Sequence, residues 1–241
     1  MKRKSTGPSK QASKKPRTGA KMRTSFKRSI KQGEVKGVDA ALTQASVLAT
    51  TNTNGGIQVM NLVPPGSGSF NRVGRKTYSK SLRLKGSISA LITSVAASSD
   101  LQGGFVRMVV VWDKQPSGVL PTFDTMFGIT DQAGTESSSV LAPLRYDNMD
   151  RFRVLKDTVL DFNPKAISPN ASDSVTVVRT FDEYIILGGK ESLYSGQTAT
   201  QTIADISTGA LYVVWRAGLN TAGTFQASVD SVSVGRYRYT D

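Results

Sequence analysis

Charge is distributed so unevenly along this chain that it dictates which part can fold. Residues 1–36 carry thirteen basic side chains (Lys2, Arg3, Lys4, Lys10, Lys14, Lys15, Arg17, Lys21, Arg23, Lys27, Arg28, Lys31 and Lys36) against one acid, Glu34, for a net charge of +12. The remaining 205 residues are nearly balanced, at +1. A segment of Lys, Arg, Ser, Thr, Gly and Pro cannot bury enough apolar surface to offset its chain entropy. Residues 1–36 are therefore expected to be a basic arm, disordered in isolation, and residues 37–241 must build the fold. A polybasic segment holds polyanions by displacing their condensed counterions, which makes nucleic acid its default partner and an anionic membrane surface the competing one. No secretory-type apolar stretch follows the basic start, and no run long enough to span a bilayer occurs, so membrane insertion is not expected.

Two patterns lie inside the arm. Lys2 and Arg3, a ten-residue spacer, then Lys14, Lys15 and Arg17 have the spacing of a bipartite nuclear localisation signal, in which two basic clusters engage separate grooves of a nuclear import receptor. Met22, Phe26 and Ile30 recur every four residues among Arg23, Lys27, Arg28 and Lys31. On a helix they form a narrow apolar stripe beside a basic face, and such a helix gains stability when phosphates neutralise that face. Three apolar residues at this spacing also arise by chance.

The chain has no Cys and no His. This removes disulfides, thiolate and imidazole metal ligands, Cys nucleophiles and Ser-His-Asp arrangements. Carboxylates alone can support glycoside hydrolysis, and Asp113, Asp124, Asp147, Asp150, Asp157 and Asp161 are available. They fall in turn-like stretches or beside Arg and Lys, so turn formation and surface ion pairing account for them. No catalytic residue, metal ligand or cofactor is assigned, and the chain is not expected to be an enzyme.

The body reads as all-β. Leu82, Leu84, Ile88, Ala90 and Ile92 alternate with Ser81, Arg83, Lys85, Ser87 and Ser89, giving one core face and one open face. Further strands are expected at Phe105–Trp112, Phe152–Phe162, Val175–Leu187, Leu211–Arg216 and Phe225–Tyr239. One short helical turn is expected, capped by Thr122, with Phe123, Met126 and Phe127 on one face and Gly128 ending it. Many strands and little helix in 205 residues fit a single eight-stranded antiparallel jelly-roll sandwich. Ahead of the alternating strand lies a second basic cluster, Arg72, Arg75, Lys76, Lys80, Arg83 and Lys85, with no acid and with Phe70 and Tyr78 available for stacking. These side chains either contact nucleic acid or pair with acids of neighbouring subunits. Gly68–Thr77 is not a phosphate loop, because its glycine and lysine spacing is wrong and no strand leads into it.

Val109-Val110-Val111-Trp112-Asp113-Lys114-Gln115-Pro116-Ser117-Gly118, followed by Pro121-Thr122-Phe123-Asp124, resembles a stretch of geminivirus coat proteins. There a strand ending in Asp-Lys-Arg-Pro-Ser/Thr-Gly leads to Pro-Thr-Phe-Asp and a short helix. Asp150-Arg151-Phe152-Arg153-Val154-Leu155 resembles that family's next marker, and Asn71-Arg72-Val73-Gly74-Arg75-Lys76 is similar to the Gly- and Arg-rich stretch in capsid proteins of circular Rep-encoding single-stranded DNA viruses. The likeness covers residues 57–162 best. It implies a homo-oligomeric, icosahedral T=1 shell of about sixty copies in the virion, single-stranded DNA as the packaged partner, and a basic arm that reaches the host nucleus. Geminivirus coat proteins carry Cys and His residues described as zinc-finger-like, and this chain has neither, so the likeness brings no metal site. The alternative from another class is a non-viral, basic-tailed nucleic-acid-binding protein of ribosomal or chromatin type. A carboxylate-dependent glycan enzyme stands third.

Overall fold

The computed structural model describes residues 33–42, 56–93, 103–163, 174–196, 198–219 and 224–241. The chain divides into Met1–Lys31 and Gln32–Asp241, and every element below belongs to the second unit. In chain order these are β1 (Lys36–Ala41), β2 (Ile57–Val59), β3 (Lys76–Thr93), β4 (Gly104–Asp113), α1 (Phe123–Met126), β5 (Ile129–Thr130), β6 (Glu136–Ser137), β7 (Phe152–Phe162), β8 (Ser174–Tyr194), β9 (Ile206–Thr208), β10 (Ala210–Leu219), β11 (Thr224–Val229) and β12 (Val234–Thr240). The fold is nearly all β, with two principal antiparallel sheets. One runs β1-β12-β3-β8-β9, with β11 also on β3; the other runs β2-β10-β4-β7, and β5-β6 is a separate hairpin.

The alternation expected in β3 is present. Leu82, Leu84, Ile88, Ala90 and Ile92 are fully buried, while Arg83 and Lys85 are exposed. Ser81 is the exception: it lies on the outward side but is only 4% exposed, because it is short and sits in the ladder between Arg238 and Ile186. β11 and β12 follow one edge of β3 in the same direction, so the single run expected at Phe225–Tyr239 is interrupted rather than absent. The interruption lies over Gly86. Ser233 occupies the space a side chain there would need, and its hydroxyl contacts the Ser87 amide at 3.1 Å.

The second sheet is covered on both sides. β4 is buried along almost its whole length, as its unbroken Val-rich run demands. One face meets the first sheet, where Phe181 packs on Trp215 at 5.2 Å and Phe162 on Phe225 at 5.9 Å. The other lies under the excursion between β4 and β7. Arg107 of β4 donates to the Val140 and Ala142 carbonyls at 2.8 and 2.7 Å and stacks over Phe127, and Arg216 of β10 stacks over Phe123. Thr122 caps α1 by accepting from the Thr125 amide at 3.2 Å. The helix ends at Phe127, which is already extended, one residue before the expected Gly128 stop.

Candidate nucleic-acid interface

The outward face of β1-β12-β3-β8 is open to solvent and charged, whereas among the described residues of the second sheet only the edge strand β7 exposes charged side chains, including Arg153, Asp157 and Asp161. Cross-strand register sets out its side chains. Arg236 on β12 lies opposite Asp39 on β1 and Arg83 on β3, and Arg83 lies opposite Tyr184 on β8. Two residues along, Lys85 lies opposite Val234 and Asp182. Ser81, Arg83, Tyr184, Arg236 and Arg238 line one shallow concavity. Four cations thus share one half of the sheet with two carboxylates. Further along β3 the outward positions become Ser87, Ser89 and Leu91, and the cations give way to the Asp230 carboxylate, which accepts from the Ser87 and Ser89 hydroxyls at 2.5 and 2.6 Å.

The two carboxylates are engaged. Arg236 donates both its Nε and Nη2 to Asp39 at 2.7 Å, and Arg83 donates in the same bidentate manner to Asp182 at 2.9 and 2.8 Å. These hydrogen bonds hold both aspartates below the usual carboxylate range and raise both guanidinium groups. All four partners are about half exposed, so each pair contributes little to stability and a competing anion can reach it. Lys85 and Arg238 form no direct ion pair among the described residues and attract Asp182 and Asp39, respectively, only at longer range. Tyr184, 61% exposed, presents its ring beside Arg83.

The second basic cluster expected from sequence is divided by the fold. Arg83 and Lys85 lie on the open face. Arg75 is exposed just ahead of β3, Lys76 pairs with Glu191 at 2.9 Å, and Lys80 is half-buried at a bulge. Arg72 is withdrawn altogether. It is 1% exposed, donates to the carbonyls of Val63 at 3.0 Å, Gly74 at 2.7 Å and Gly196, and lies 4.5 Å over the Tyr194 ring. Its burial corrects its place in the cluster: it staples the loop ahead of β3 and, at 1% exposure, does not present its guanidinium to a phosphate at the surface. Phe70 and Tyr78 are exposed, as a stacking role requires.

Arg236 and Arg238 were missed by sequence reasoning. The signal was present: in Arg236-Tyr237-Arg238-Tyr239 the alternation puts both arginines on one face and both tyrosines in the core, where their rings stack at 5.7 Å. Lys36, counted with the arm, opens β1 and pairs with Asp241 at 3.1 Å. Lys2, Arg3, Lys4, Lys10, Lys14, Lys15, Arg17, Lys21, Arg23, Lys27, Arg28 and Lys31, the bipartite motif and the Met22–Ile30 stripe lie outside the described residues.

Three of the six carboxylates weighed as catalytic groups have structural partners. Asp113 is fully buried and accepts from Arg151 at 3.0 and 2.9 Å and from the Tyr212 hydroxyl at 3.2 Å, so its ion pair is interior rather than on the surface. Asp157 pairs with Arg107 and Asp147 with Arg145. Among the described residues no cluster of three or more acidic side chains could hold a metal ion, and no helix is long and apolar enough to cross a membrane.

A near-neutral β body with one basic sheet face, preceded in sequence by a strongly basic segment and carrying no assembled catalytic group among the described residues, has the build of a structural protein. The chain belongs to the geminivirus coat protein/nuclear export factor BR1 family, whose model matches residues 1–235. It is a geminivirus-like coat protein, as the two ordered motifs suggested, and the ribosomal or chromatin alternative is set aside. No curated protein matches the chain significantly. Among solved structures, one of the infectious bursal disease virus Gx strain aligns at 10% identity with a TM-score of 0.24, over 86% of this chain and 32% of that one. One of the Gt strain aligns at 10% identity with a TM-score of 0.12, over 86% and 41%. The chain spans well under half the length of either, and neither superposition is close enough to bear on the fold.

Proposed function

We propose that this coat protein self-assembles into a small icosahedral shell and packages single-stranded DNA through its basic arm, which also directs it to the nucleus. The observation that carries this reading is the segregation of charge, +12 on residues 1–36 against +1 on the rest, in a member of a coat-protein family. A body that binds copies of itself gains from neutrality, because like-charged subunits repel. An arm that binds the genome gains from charge. About sixty arms bring roughly 700 positive charges, and counterion displacement makes packaging tolerant of sequence.

The body is read as a jelly roll with edge additions. In β2-β10-β4-β7 and in β12-β3-β8, strands far apart in sequence lie side by side, the crossing pattern that Greek-key folds require. β1 and β9 extend one sheet beyond the expected eight strands. Within the arm, Lys2, Arg3, Lys14, Lys15 and Arg17 supply the two clusters for a nuclear import receptor.

Electron microscopy and sizing of the purified full chain test the reading. Uniform closed particles holding nuclease-protected DNA are expected. A monomer near 25.8 kDa overturns assembly, and particles whose DNA content is indifferent to neutralising the arm overturn packaging by it. Alanine at Lys14, Lys15 and Arg17 is expected to reduce nuclear accumulation, and unchanged accumulation refutes the bipartite motif.

A further inference from the structure

We infer that the open half-face of the first sheet is a second, arm-independent binding site for single-stranded nucleic acid, with Arg83, Lys85, Arg236 and Arg238 holding phosphates and Tyr184 stacking a base. The inference rests on the nucleic-acid-packaging reading but assigns a site in the folded body.

Three observations carry it. The first is geometry. Arg236 and Arg238 are two residues apart on β12, as are Arg83 and Lys85 on β3, a step of about 6.8 Å along each strand, and the two strands lie about 4.8 Å apart. With Arg238 opposite Ser81, Arg236 opposite Arg83 and Lys85 opposite Val234, the result is a staggered grid of four cations on the exposed face. A chain of evenly spaced phosphates is a multivalent match for such a grid, and a small anion is not.

The second is charge that the protein leaves uncompensated. Four cations share the half-face with two carboxylates: Asp39 and Asp182 are paired directly with Arg236 and Arg83, and Arg238 and Lys85 are attracted at longer range to the same two aspartates. Arg83 and Arg236 face each other across the ladder, and repulsion by Arg236 offsets a part of the stabilisation that Asp182 gives the Arg83 charge. A polyanion relieves that repulsion. The carboxylates act as resident competitors that a phosphate must displace, which keeps affinity moderate and salt-sensitive.

The third is Tyr184, a large ring 61% exposed in the same concavity as Arg83, Arg236 and Arg238. An aromatic platform beside a guanidinium gives a base a place to stack. Only an unpaired base can use it, which selects single strands over duplex. Val35, Lys36 and Gly37 border this face beside Arg236 and Arg238.

The test uses the full chain. Protein bound to oligo(dT) containing 5-iododeoxyuridine is photo-cross-linked and the cross-linked peptides are mapped. Affinity is measured against salt for Lys85→Gln with Arg238→Gln, for Tyr184→Ala, for Tyr184→Phe, and for Asp39→Asn with Asp182→Asn. Expected results are cross-links at the Tyr184 peptide as well as in the arm and a salt slope about 1.4 shallower for the Lys85/Arg238 pair, worth roughly tenfold in affinity at 0.15 M salt. Tyr184→Ala is expected to lose about fivefold or more, with Phe restoring it, and the Asp39/Asp182 pair to bind more tightly. Cross-links confined to the arm, with unchanged slopes in variants of unchanged thermal midpoint, overturn the inference and leave packaging by the arm intact. Loss of all oligonucleotide binding by the wild-type chain sinks both readings. If the Lys85/Arg238 variant binds normally but forms no particles, the face is a contact between copies and the inference fails.

Discussion

Replacing Arg72 by Met separates a residue that holds the fold from one that binds nucleic acid. From sequence Arg72 belongs with its basic neighbours, whereas in the structure its guanidinium is sealed in, donating to the carbonyls of Val63, Gly74 and Gly196 over the ring of Tyr194. A hydrogen bond from a charged group contributes about 1.5–3 kcal/mol net. Each carbonyl keeps a second lone pair, water can reach the two less buried ones, and Met spares the cost of desolvating a cation. The balance is a loss of about 3–5 kcal/mol. For a body of roughly 200 residues this is a fall of about 6–20 °C in Tm. Thermal unfolding followed by circular dichroism, at one protein concentration so that assembly does not shift the midpoint, checks it beside oligo(dT) affinity measured well below Tm. Affinity is expected to stay at the wild-type level. A fall below about 2 °C together with weakened oligonucleotide binding would falsify the structural role of Arg72. Arg238→Met is the counterpart, with Tm held and affinity reduced.

Three further outcomes follow from the geometry. Asp113→Ala strands the Arg151 guanidinium and the Tyr212 hydroxyl and is expected to cost about 3 kcal/mol, read as an earlier denaturant midpoint; Asp113→Asn should recover part of the loss. Gly209 has φ +74°, and a Cβ there would run into the Glu191 carbonyl and the Trp112 ring, so Gly209→Ala should lose soluble, folded protein, and a wild-type Tm would contradict the packing described. Burial raises the hydroxyl pKa of Tyr194, Tyr212 and Tyr237 above the ordinary tyrosine value. Their contribution to stability is intact below about pH 10 and falls at higher pH, because the unfolded chain releases protons that the folded chain keeps. A Tm that stays flat from pH 9.5 to 11.5 would contradict it.

Strand positions were legible wherever one face is wet and the other dry. β3 showed period-two alternation, and β7 falls where expected, Phe152–Phe162. β4 lacked alternation because both of its faces are covered, yet its Val-rich run still marked it. The short strands β1, β2 and β9 carried no readable pattern, because three to six residues owe their conformation to the partner they pair with. Half of the candidate interface was also legible. Arg83 and Lys85 stood out beside their basic neighbours, whereas Arg236 and Arg238 lie some 150 residues further on and become neighbours only through the β3–β12 ladder.

By itself the sequence determined where the charge is concentrated, that the body would fold as β structure, and that no thiol or imidazole chemistry was available. Composition and period suffice for those conclusions, since each depends on a residue's own transfer energy or on neighbours two positions away. The fate of each cation was decided by tertiary structure alone. Arg72, Arg107 and Arg216 read like surface arginines and are buried over aromatic rings, while Arg83 and Arg236 meet across a ladder and share a face with Tyr184. Whether a guanidinium stabilises a loop or waits for a phosphate depends on which carbonyls, rings and carboxylates the packed sheets bring within about 3–5 Å of it, and those partners come from distant parts of the chain.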